Sequence, residues 1–228
     1  MRETSKTLKY STDLSWDEWL KGRILDIGAG SDPIREDCDV FDIQHGDANR
    51  ITQFLDSKSY DTVYSSHCLE HMDDPKATLT EWWDILRPGG HMILIVPDND
   101  LYEQNIWPSF FNDDHKWAFT IINKSLSHSR LLTISETIGH LPDATLITCA
   151  VQDDGLDYNF LTKDQSYSNR TGESIIRLVR LPFYRMGIIG MTMLQSIDKL
   201  LYKSIHRPID QTLYGALAQI FLVLKKNG

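Results

Sequence analysis

The stretch that most constrains the fold is residues 24–30, with the sequence ILDIGAG. An apolar run that carries one acid ends in two glycines one residue apart, which predicts a buried strand breaking into a tight turn. Glycine at 28 and 30 allows a sharp turn and removes the side chain that would hold a ligand away from the backbone. The pattern is typical of a nucleotide-binding turn at the carboxyl end of the first strand of an open α/β sheet.

The composition fits one large globular domain of 228 residues, with 41% hydrophobic and 24% charged residues. A net charge of −9 argues against general nucleic-acid binding. The charge is uneven, because residues 171–228 carry eight basic and three acidic side chains, a net charge of +5 that leaves −14 for the rest.

The cysteines are widely spaced at Cys38, Cys68 and Cys149, with no CxxC pair. This spacing argues against a disulfide framework and predicts a reducing compartment, the cytoplasm. The first twenty residues are charged and lack an apolar core, so we expect no signal peptide.

Strand and helix patterns alternate over the first hundred residues. Strands are predicted over 24–27, 40–43, 60–66 and 92–96, with a helix that starts at Asp74-Pro75 and a turn over 87–90. Such an order predicts a doubly wound, mostly parallel α/β sheet with right-handed crossovers. The other predicted elements are a lead-in helix within 1–23 over one edge of the sheet, a helix over 129–139, a strand over 144–151, and a last strand over 215–226.

The first crossover is unusually short. Eleven residues separate Gly30 from Asp42, whereas about 20 usually separate the glycine turn from the acid that binds a ribose. Pro33 also interrupts the interval. We therefore expect the helix after the glycine turn to be stunted or replaced by turns.

The glycine turn departs from the dinucleotide-binding pattern, because Pro33 stands where the third glycine of G-x-G-x-x-G belongs. In its D-x-G-x-G form it resembles the first motif of class I S-adenosylmethionine-dependent methyltransferases. Four more motifs of that family follow in order and cover residues 24–98 with it. They are Asp42 at the end of the second strand, Gly46-Asp47-Ala48, the SSHCLEH segment at 65–71 after the family's fourth strand, and LRPGG at 86–90 before its fifth.

This resemblance implies a Rossmann-like fold, S-adenosylmethionine as cofactor, and roles for several side chains. Gly28 and Gly30 would let the backbone approach the methionine moiety, and Asp26 would hold its ammonium group through water. Asp42 would accept hydrogen bonds from the ribose hydroxyls. The short interval before it leaves Asp39 as an alternative.

The adenine and the methyl-bearing end are assigned in the same way. Ile43 would pack on adenine, Asp47 would accept from its exocyclic amine, and Ala48 would offer a backbone N–H. Ser65 and His67 would lie beside the methionine tail and the sulfonium.

Methyl transfer to a hydroxyl or amine also needs a group that takes the acceptor's proton, and a histidine or carboxylate suits this role. The catalytic candidates are His67 and His115, with Asp98 and Asp114 behind them. The two histidines stay unranked. The resemblance is strongest to the small-molecule branch, and it implies an oxygen of a sugar or of a glycan or glycolipid precursor as acceptor.

Two alternatives to this function stay open. One is a scaffold protein that binds S-adenosylmethionine without turnover. The other is a zinc hydrolase, since His67, Glu70 and His71 match H-x-x-E-H, although no third ligand is evident in the sequence. With the methyltransferase motifs in register, we assign no metal and expect structural roles for Glu70 and His71. Trp82 and Trp83 are expected to pack in the core or an interface.

Two segments are predicted as insertions in a single domain over 1–228. Residues 99–117 are rich in aromatic and turn residues and suit a lid. Residues 172–207 are predicted as a helical insertion before the last strand, interrupted at Pro182. Within it, 175–201 is apolar with interleaved basic residues, which suits a peripheral membrane contact, self-association, or a cap over the acceptor site.

Overall fold

A six-stranded sheet forms the centre of the computed structural model, which describes residues 3–122, 128–162 and 170–228. The strands are β1 Ile24–Ile27, β2 Asp39–Phe41, β3 Tyr60–Ser66, β4 Leu86–Pro97, β5 Ala118–Thr120, β6 Leu131–Thr133, β7 Ala144–Gln152 and β8 Gln219–Lys226. The helices are α1 Glu3–Tyr10, α2 Trp16–Trp19, α3 Pro75–Ile85, α4 Ile134–Ile138, α5 Arg170–Tyr184 and α6 Gly187–Ile205. Short 3₁₀ helices cover Ala48–Gln53, Leu69–His71, Tyr158–Phe160 and Gln211–Tyr214.

The strand order is β2-β1-β3-β4-β8-β7, and β5 pairs with β6 in a separate two-stranded sheet. β1 runs parallel to β2 and β3, and β3 runs parallel to β4. β8 is antiparallel to both of its neighbours, β4 and β7. The prediction of a doubly wound, mostly parallel α/β sheet is confirmed. The strand that precedes the SSHCLEH segment is β3, the third along this chain.

The sheet is buried on both faces, which explains the near-continuous apolar character of its strands. On one face Leu25 and Val63 pack with Leu79 and Trp82 of α3. On the other face the residues that alternate with them pack beneath α2. These include Ile24, Tyr64, Ile93 and Phe221.

The lead-in segment covers a face of the sheet, so the prediction that it covers an edge is wrong. It forms two short helices, α1 and α2, in place of one. The indole rings of Trp16 and Trp19 lie 5.5 and 5.8 Å from the ring of Phe221, which belongs to the inner strand β8. Burial of these large rings over the middle of the sheet removes more apolar surface from water than an edge would allow.

Local chemistry sets the bounds of α3 as the sequence predicts. The Asp74 side chain accepts hydrogen bonds from the backbone N–H groups of Lys76 and Ala77, at 3.0 and 3.2 Å. Pro75 occupies the first turn, where its missing N–H costs nothing. The helix ends at Ile85 and β4 begins at Leu86.

A helix was predicted over 129–139, and this prediction is wrong for the first half of the range. Residues Leu131–Thr133 form β6, which pairs with β5, and α4 starts at Ile134. The cause is a capping box: the Thr133 side chain accepts from the Glu136 N–H at 3.2 Å, and the Glu136 carboxylate accepts from the Thr133 N–H at 2.9 Å. The box fixes the helix start five residues later than the apolar pattern suggested.

Two strand starts also differ from the sequence prediction. Residues 87–90 belong to the range of β4 but loop out, because Leu86 pairs with Tyr60 and His91 pairs with Thr62. The last strand begins at Gln219 in place of 215. Gly215, with φ +96°, instead ends the 3₁₀ helix before it.

The interval between β1 and β2 contains turns and no helix over residues 28–38, all of which are described. The prediction of a stunted first crossover is therefore confirmed. Its consequence is that the ends of β1 and β2 are joined by a short loop at the carboxyl edge of the sheet.

The helical insertion forms a pair of helices, α5 and α6. Pro182 lies inside α5, so the predicted interruption there is wrong; the break falls at 185–186, before Gly187 with φ +60°. A buried ion pair between Arg180 and Asp198, at 2.9 Å, joins the two helices. Among the described residues, no helix combines the length and apolar character needed to span a membrane.

Candidate active site

A cavity of about 580 Å³ opens where β1 and β2 end. The glycine turn, the loop after β2 and the segment after β3 converge there because the carboxyl ends of parallel strands meet at one edge of the sheet. Its lining residues are Gly28, Phe41, Asp42, Ile43, Gly46, Asp47, Ala48, Asn49, Cys68 and Met72. The structure thus brings together five of the eight cofactor-binding residues predicted from sequence.

Gly28 occupies a position that a side chain would block. Its φ is +82°, and a Cβ atom there would lie 2.8 Å from the sulfur of Cys68. Its N–H donates to the carbonyl of Phe41 at 2.9 Å, which ties the turn to β2. The backbone is therefore exposed to the cavity at this point.

Asp42 lies against the second glycine of the turn. The N–H of Gly30 donates to the Asp42 carboxylate at 3.2 Å. The alternative acid, Asp39, lies at the other end of β2, where its carboxylate pairs with Arg23 at 2.8 Å. Asp42 is therefore the acid at the cavity.

The far wall of the cavity combines an apolar surface with fixed polar groups. Ile43 is 94% exposed, which leaves an apolar surface uncovered beside Asp42. The Asp47 carboxylate accepts from the backbone N–H and the side-chain amide of Asn49, at 2.9 and 2.8 Å. These hydrogen bonds lower the pKa of Asp47 and keep it ionised. The Ala48 carbonyl accepts from the indole N–H of Trp82 at 2.9 Å.

Asp26 and Ser65 are placed differently from the sequence prediction. Asp26 is buried and accepts the backbone N–H of Ile34 at 2.8 Å. Burial raises the pKa of Asp26 to about 7, despite that hydrogen bond. The Ser65 hydroxyl is also buried and donates to the carbonyl of Ile27 at 2.9 Å. Both side chains make hydrogen bonds near the end of β1, and neither lines the cavity.

A second, smaller cavity of about 230 Å³ holds both predicted catalytic histidines. Its polar lining includes His67, Glu70, His71, Tyr102, Asn112, His115 and Gln219. The two cavities share the segment after β3. Cys68 and Met72 line the first cavity, while His67, Glu70 and His71 line the second. At the start of this segment, the backbone of His67 is in the left-handed region, with φ +52°.

Glu70 is the centre of the second cavity. Its side chain is fully buried, and neither carboxylate oxygen has a hydrogen-bond partner among the described residues. Three ring nitrogens surround its Oε1 atom, from His67 at 3.6 Å and from His71 and His115 at 3.9 Å each. Burial alone would raise the pKa of Glu70, but the histidines outweigh it and lower the pKa on balance.

Each histidine is oriented by a contact at its other nitrogen. His67 Nε2 lies 3.0 Å from the side-chain oxygen of Gln219. Burial lowers the pKa of His67, but Glu70, Glu3 and Gln219 together outweigh burial, and the net pKa is raised. His115 Nδ1 lies 2.6 Å from Glu103 Oε1, and His71 Nδ1 lies 3.1 Å from the carbonyl of Asp114.

Glu70 and His71, for which structural roles were expected from sequence, both line the second cavity. Glu103, Tyr102 and Gln219 were missed, because they lie far from the motifs along the chain. Glu70 could have been predicted as a site residue, because it is the carboxylate within the SSHCLEH motif. Of the two acids placed behind the histidines, Asp114 contributes its carbonyl, while the Asp98 side chain accepts N–H groups of its own loop.

A third cavity, of about 580 Å³, lies between residues 110–114 and the helical insertion. Arg180, Leu181 and Tyr184 of α5 line it, as does Arg207. The second and third cavities share the residues Asn112, Asp210 and Leu213. The polar histidine cavity therefore adjoins a larger space that the two inserted segments enclose.

The residues of the first cavity fit an adenosyl cofactor. Gly28 lines the cavity with backbone alone, Asp42 presents a carboxylate for a diol, and Ile43 offers an uncovered apolar surface for a planar base. Together with the doubly wound sheet and its antiparallel β8, they define a nucleotide-binding domain of the class I methyltransferase type.

Comparison with known proteins agrees with this class. Residues 25–94 match the family model described as a methyltransferase domain. No curated protein sequence matched the chain. Residues 25–94 therefore form a methyltransferase domain, and the enzyme class and the S-adenosylmethionine cofactor that the motifs predicted are confirmed.

Solved structures with a similar fold include a proposed sarcosine dimethylglycine methyltransferase from Galdieria sulphuraria. It is 12% identical, with a TM-score of 0.52, and the match covers 98% of this chain and 85% of that one. A methyltransferase from Archaeoglobus fulgidus is 17% identical, with a TM-score of 0.48 and coverage of 99% and 95%. At 12% identity, the similarity to the first of these structures shows the fold alone.

Proposed function

We propose that this methyltransferase methylates an oxygen of a small hydroxylated acceptor, a sugar or a precursor of a cell-surface glycan or glycolipid. The observation that carries the proposal is the segment at 67–72, whose side chains line the cofactor cavity and the histidine cavity in turn. A group that receives a proton therefore lies next to the place from which a methyl group is delivered. Such positioning is the main contribution a protein makes to this kind of displacement.

The first cavity is proposed to hold the cofactor. Asp42 would bind the ribose hydroxyls, Ile43 would cover the adenine, and Asp47 with Ala48 would meet its polar edge. Gly28 and Gly30 would lie along the methionine moiety. When bound, S-adenosylmethionine supplies a methyl group that is already activated by a positively charged sulfur. The chain's own residues then have to orient an acceptor oxygen, exclude water, and receive one proton.

His67 is the residue proposed to receive that proton. Its Nε2 atom faces the side-chain oxygen of Gln219, which accepts a hydrogen bond, so Nε2 carries a proton and Nδ1 has the lone pair. Nδ1 lies 3.6 Å from Glu70, whose carboxylate stabilises the ring once it is charged. His115 is the weaker candidate, because its side chain is 3% exposed against 17% for His67, and its Nδ1 is committed to Glu103.

The shape and polarity of the remaining space favour a glycan-type acceptor. The histidine cavity is lined with hydroxyl, amide and imidazole groups and with the charged side chains of Glu3, Lys6, Glu70 and Asp210, which suit a hydroxylated ligand better than an apolar one. An acceptor larger than this cavity could extend past Asn112 and Leu213 into the third cavity. The segment at 99–117 and the helical insertion would then serve as lid and cap.

The test is transfer of a labelled methyl group from S-adenosylmethionine to a panel of acceptors, including free sugars, nucleotide sugars, a glycolipid extract, and small amines such as sarcosine. Label in a hydroxylated acceptor, reduced about 10²- to 10⁴-fold in a His67→Gln variant that still binds S-adenosylhomocysteine, supports the proposal. Label in the amines alone overturns it. Cofactor binding with no transfer to any member or to a cell extract favours the scaffold alternative.

The apolar surface of the helical insertion is proposed as a self-association surface of a cytoplasmic enzyme. Exposed apolar side chains on α5 and α6 include Leu178, Val179, Leu181, Ile188, Ile189 and Leu200. An apolar area of this kind is commonly covered by protein. Light scattering that shows a dimer, and a monomer for Ile188→Glu, supports self-association. A monomeric wild type that sediments with anionic vesicles would point to peripheral membrane contact instead.

A further inference from the structure

We propose that Glu70, His71 and His115 form a binding site for a divalent transition-metal ion of the zinc class. The site goes beyond the proposed function, because metal binding can occur whatever the acceptor is. One ligand atom from each of the three residues lies within 4.8 Å of the other two. The set differs from the H-x-x-E-H reading of the sequence, since His115 replaces His67.

The tautomers of both histidines direct lone pairs toward Glu70. His71 Nδ1 lies 3.1 Å from the carbonyl of Asp114, which can only accept, so that nitrogen carries the proton. His115 Nδ1 lies 2.6 Å from Glu103 Oε1 and carries a proton for the same reason. In the neutral rings both Nε2 atoms are therefore unprotonated, and each lies 3.9 Å from Glu70 Oε1.

Glu70 Oε1 and the two Nε2 atoms are therefore three electron-rich atoms within 4.8 Å of one another. Glu70 has no hydrogen bond to either oxygen among the described residues, although it is fully buried. A buried carboxylate without a hydrogen bond is costly, and buried charges are normally hydrogen-bonded or coordinate a metal. A cation among these atoms would satisfy Glu70 and both lone pairs together.

The donor set favours zinc-class ions over magnesium or calcium. Two imidazole nitrogens and one carboxylate are a common catalytic zinc set, whereas magnesium and calcium take oxygen ligands. Ligands of a tetrahedral zinc ion lie about 3.3 Å apart. Glu70 and each histidine, 3.9 Å apart, must therefore approach by about 0.6 Å, and the pair of ligand atoms that is farthest apart, at up to 4.8 Å, by up to about 1.5 Å.

The outer contacts match those expected around a metal. Metal-binding histidines usually donate their other ring N–H to a carboxylate or a backbone carbonyl, and Glu103 and the Asp114 carbonyl supply one of each. Three protein ligands leave a fourth position open. All three residues line the histidine cavity, so that position is available to water or to an acceptor's hydroxyl oxygen.

The test is titration of chelator-treated full-length protein with Zn²⁺ by calorimetry, and with Co²⁺ by visible absorption, which reports the ligand geometry. Variants are His115→Gln, His71→Gln, Glu70→Gln and Glu103→Gln. His67→Gln tests the alternative ligand set, and His140→Gln is a matched control with an exposed ring outside the cavity. Titration of S-adenosylhomocysteine into each variant confirms that it is folded and that the cofactor site is intact.

We expect one Zn²⁺ per chain, retained in His67→Gln and His140→Gln. Glu103→Gln should weaken binding about 10- to 100-fold, and loss of a direct ligand by more. Wild-type protein that binds Zn²⁺ no more tightly than His115→Gln would overturn the site, and so would loss in His67→Gln with retention in His115→Gln. Because the readout is metal binding, a negative result here leaves the proposed methyl acceptor untouched, and failure of methyl transfer leaves the metal site untouched.

Discussion

The backbone N–H of Gly30 donates to the Asp42 carboxylate at 3.2 Å, although eleven residues without a helix separate the two. The contact joins the end of β1 to the end of β2 and holds the acid at the cofactor cavity. A full crossover helix is therefore not needed to bring these two elements together.

Asp42 and Asp39 provide a matched pair of variants on one strand. Asp42→Asn should weaken binding of S-adenosylhomocysteine about 10- to 100-fold, because hydrogen bonds from the ribose hydroxyls to a charged carboxylate are lost. Asp39→Asn should leave the affinity within about twofold, since Asp39 pairs with Arg23 away from the cavity. Calorimetric titration measures both. Equal weakening by the two substitutions would contradict the assignment of Asp42.

Gly28 and Gly30 separate backbone strain from a steric clash. Both have positive φ, so alanine costs about 1–2 kcal/mol of folding free energy at either position. Gly28→Ala also brings a Cβ to 2.8 Å from Cys68, which adds about 1–3 kcal/mol, whereas nothing lies within 4 Å at Gly30. Urea unfolding should therefore rank Gly28→Ala as the less stable protein. The reverse order would show that the turn is packed differently.

Trp82 and Trp83 make the same kind of hydrogen bond in different places. Their indole N–H groups donate at 2.9 Å to the carbonyls of Ala48 and Pro142. Phenylalanine at either position should cost about 1–3 kcal/mol of stability, because a carbonyl loses its partner. Trp82→Phe alone should also weaken S-adenosylhomocysteine binding several-fold, since Ala48 lines the cofactor cavity. Unchanged affinity in Trp82→Phe would show that the hydrogen bond from Trp82 does not position Ala48 for cofactor binding.

Asp26 should make stability depend on pH in a defined window. Burial raises its folded-state pKa from 3.8 to about 7, so the folded chain retains a proton that the unfolded chain has lost. This site's contribution to stability therefore falls as pH rises from about 4 to 7, by at most about 1.4 kcal/mol per pH unit, and levels off above that range.

Asp26→Asn keeps a side-chain oxygen for the Ile34 N–H and removes the titration. The variant should therefore gain stability over wild type as pH rises through this window, measured by urea unfolding at several pH values. A constant difference between the two proteins would show that Asp26 stays ionised throughout.

The sequence predicts elements well where the signal is local. β1 and β3 have the predicted bounds, because apolar runs ended by glycine or by a polar motif specify a buried strand within a few residues. α4 was misjudged because a capping box at Thr133 and Glu136 overrides the apolar pattern before it.

In the candidate site, too, the residues close together in the sequence were easier to predict than those far apart. The first cavity is built largely from consecutive motifs at 28–48, so the sequence predicted five of its ten lining residues. The histidine cavity joins the segment after β3 to Tyr102, His115 and Gln219, and contacts between residues so far apart leave no periodic pattern. The motif position of Ser65 carries no information on the direction of its hydroxyl, which donates to the Ile27 carbonyl.

The most direct test of the central claim is calorimetric titration of wild-type protein with S-adenosylmethionine and S-adenosylhomocysteine. The account predicts saturable binding of both at one site per chain, with competition between them. Absence of binding to either ligand by folded protein, or binding that Asp42→Asn leaves unchanged, would contradict it.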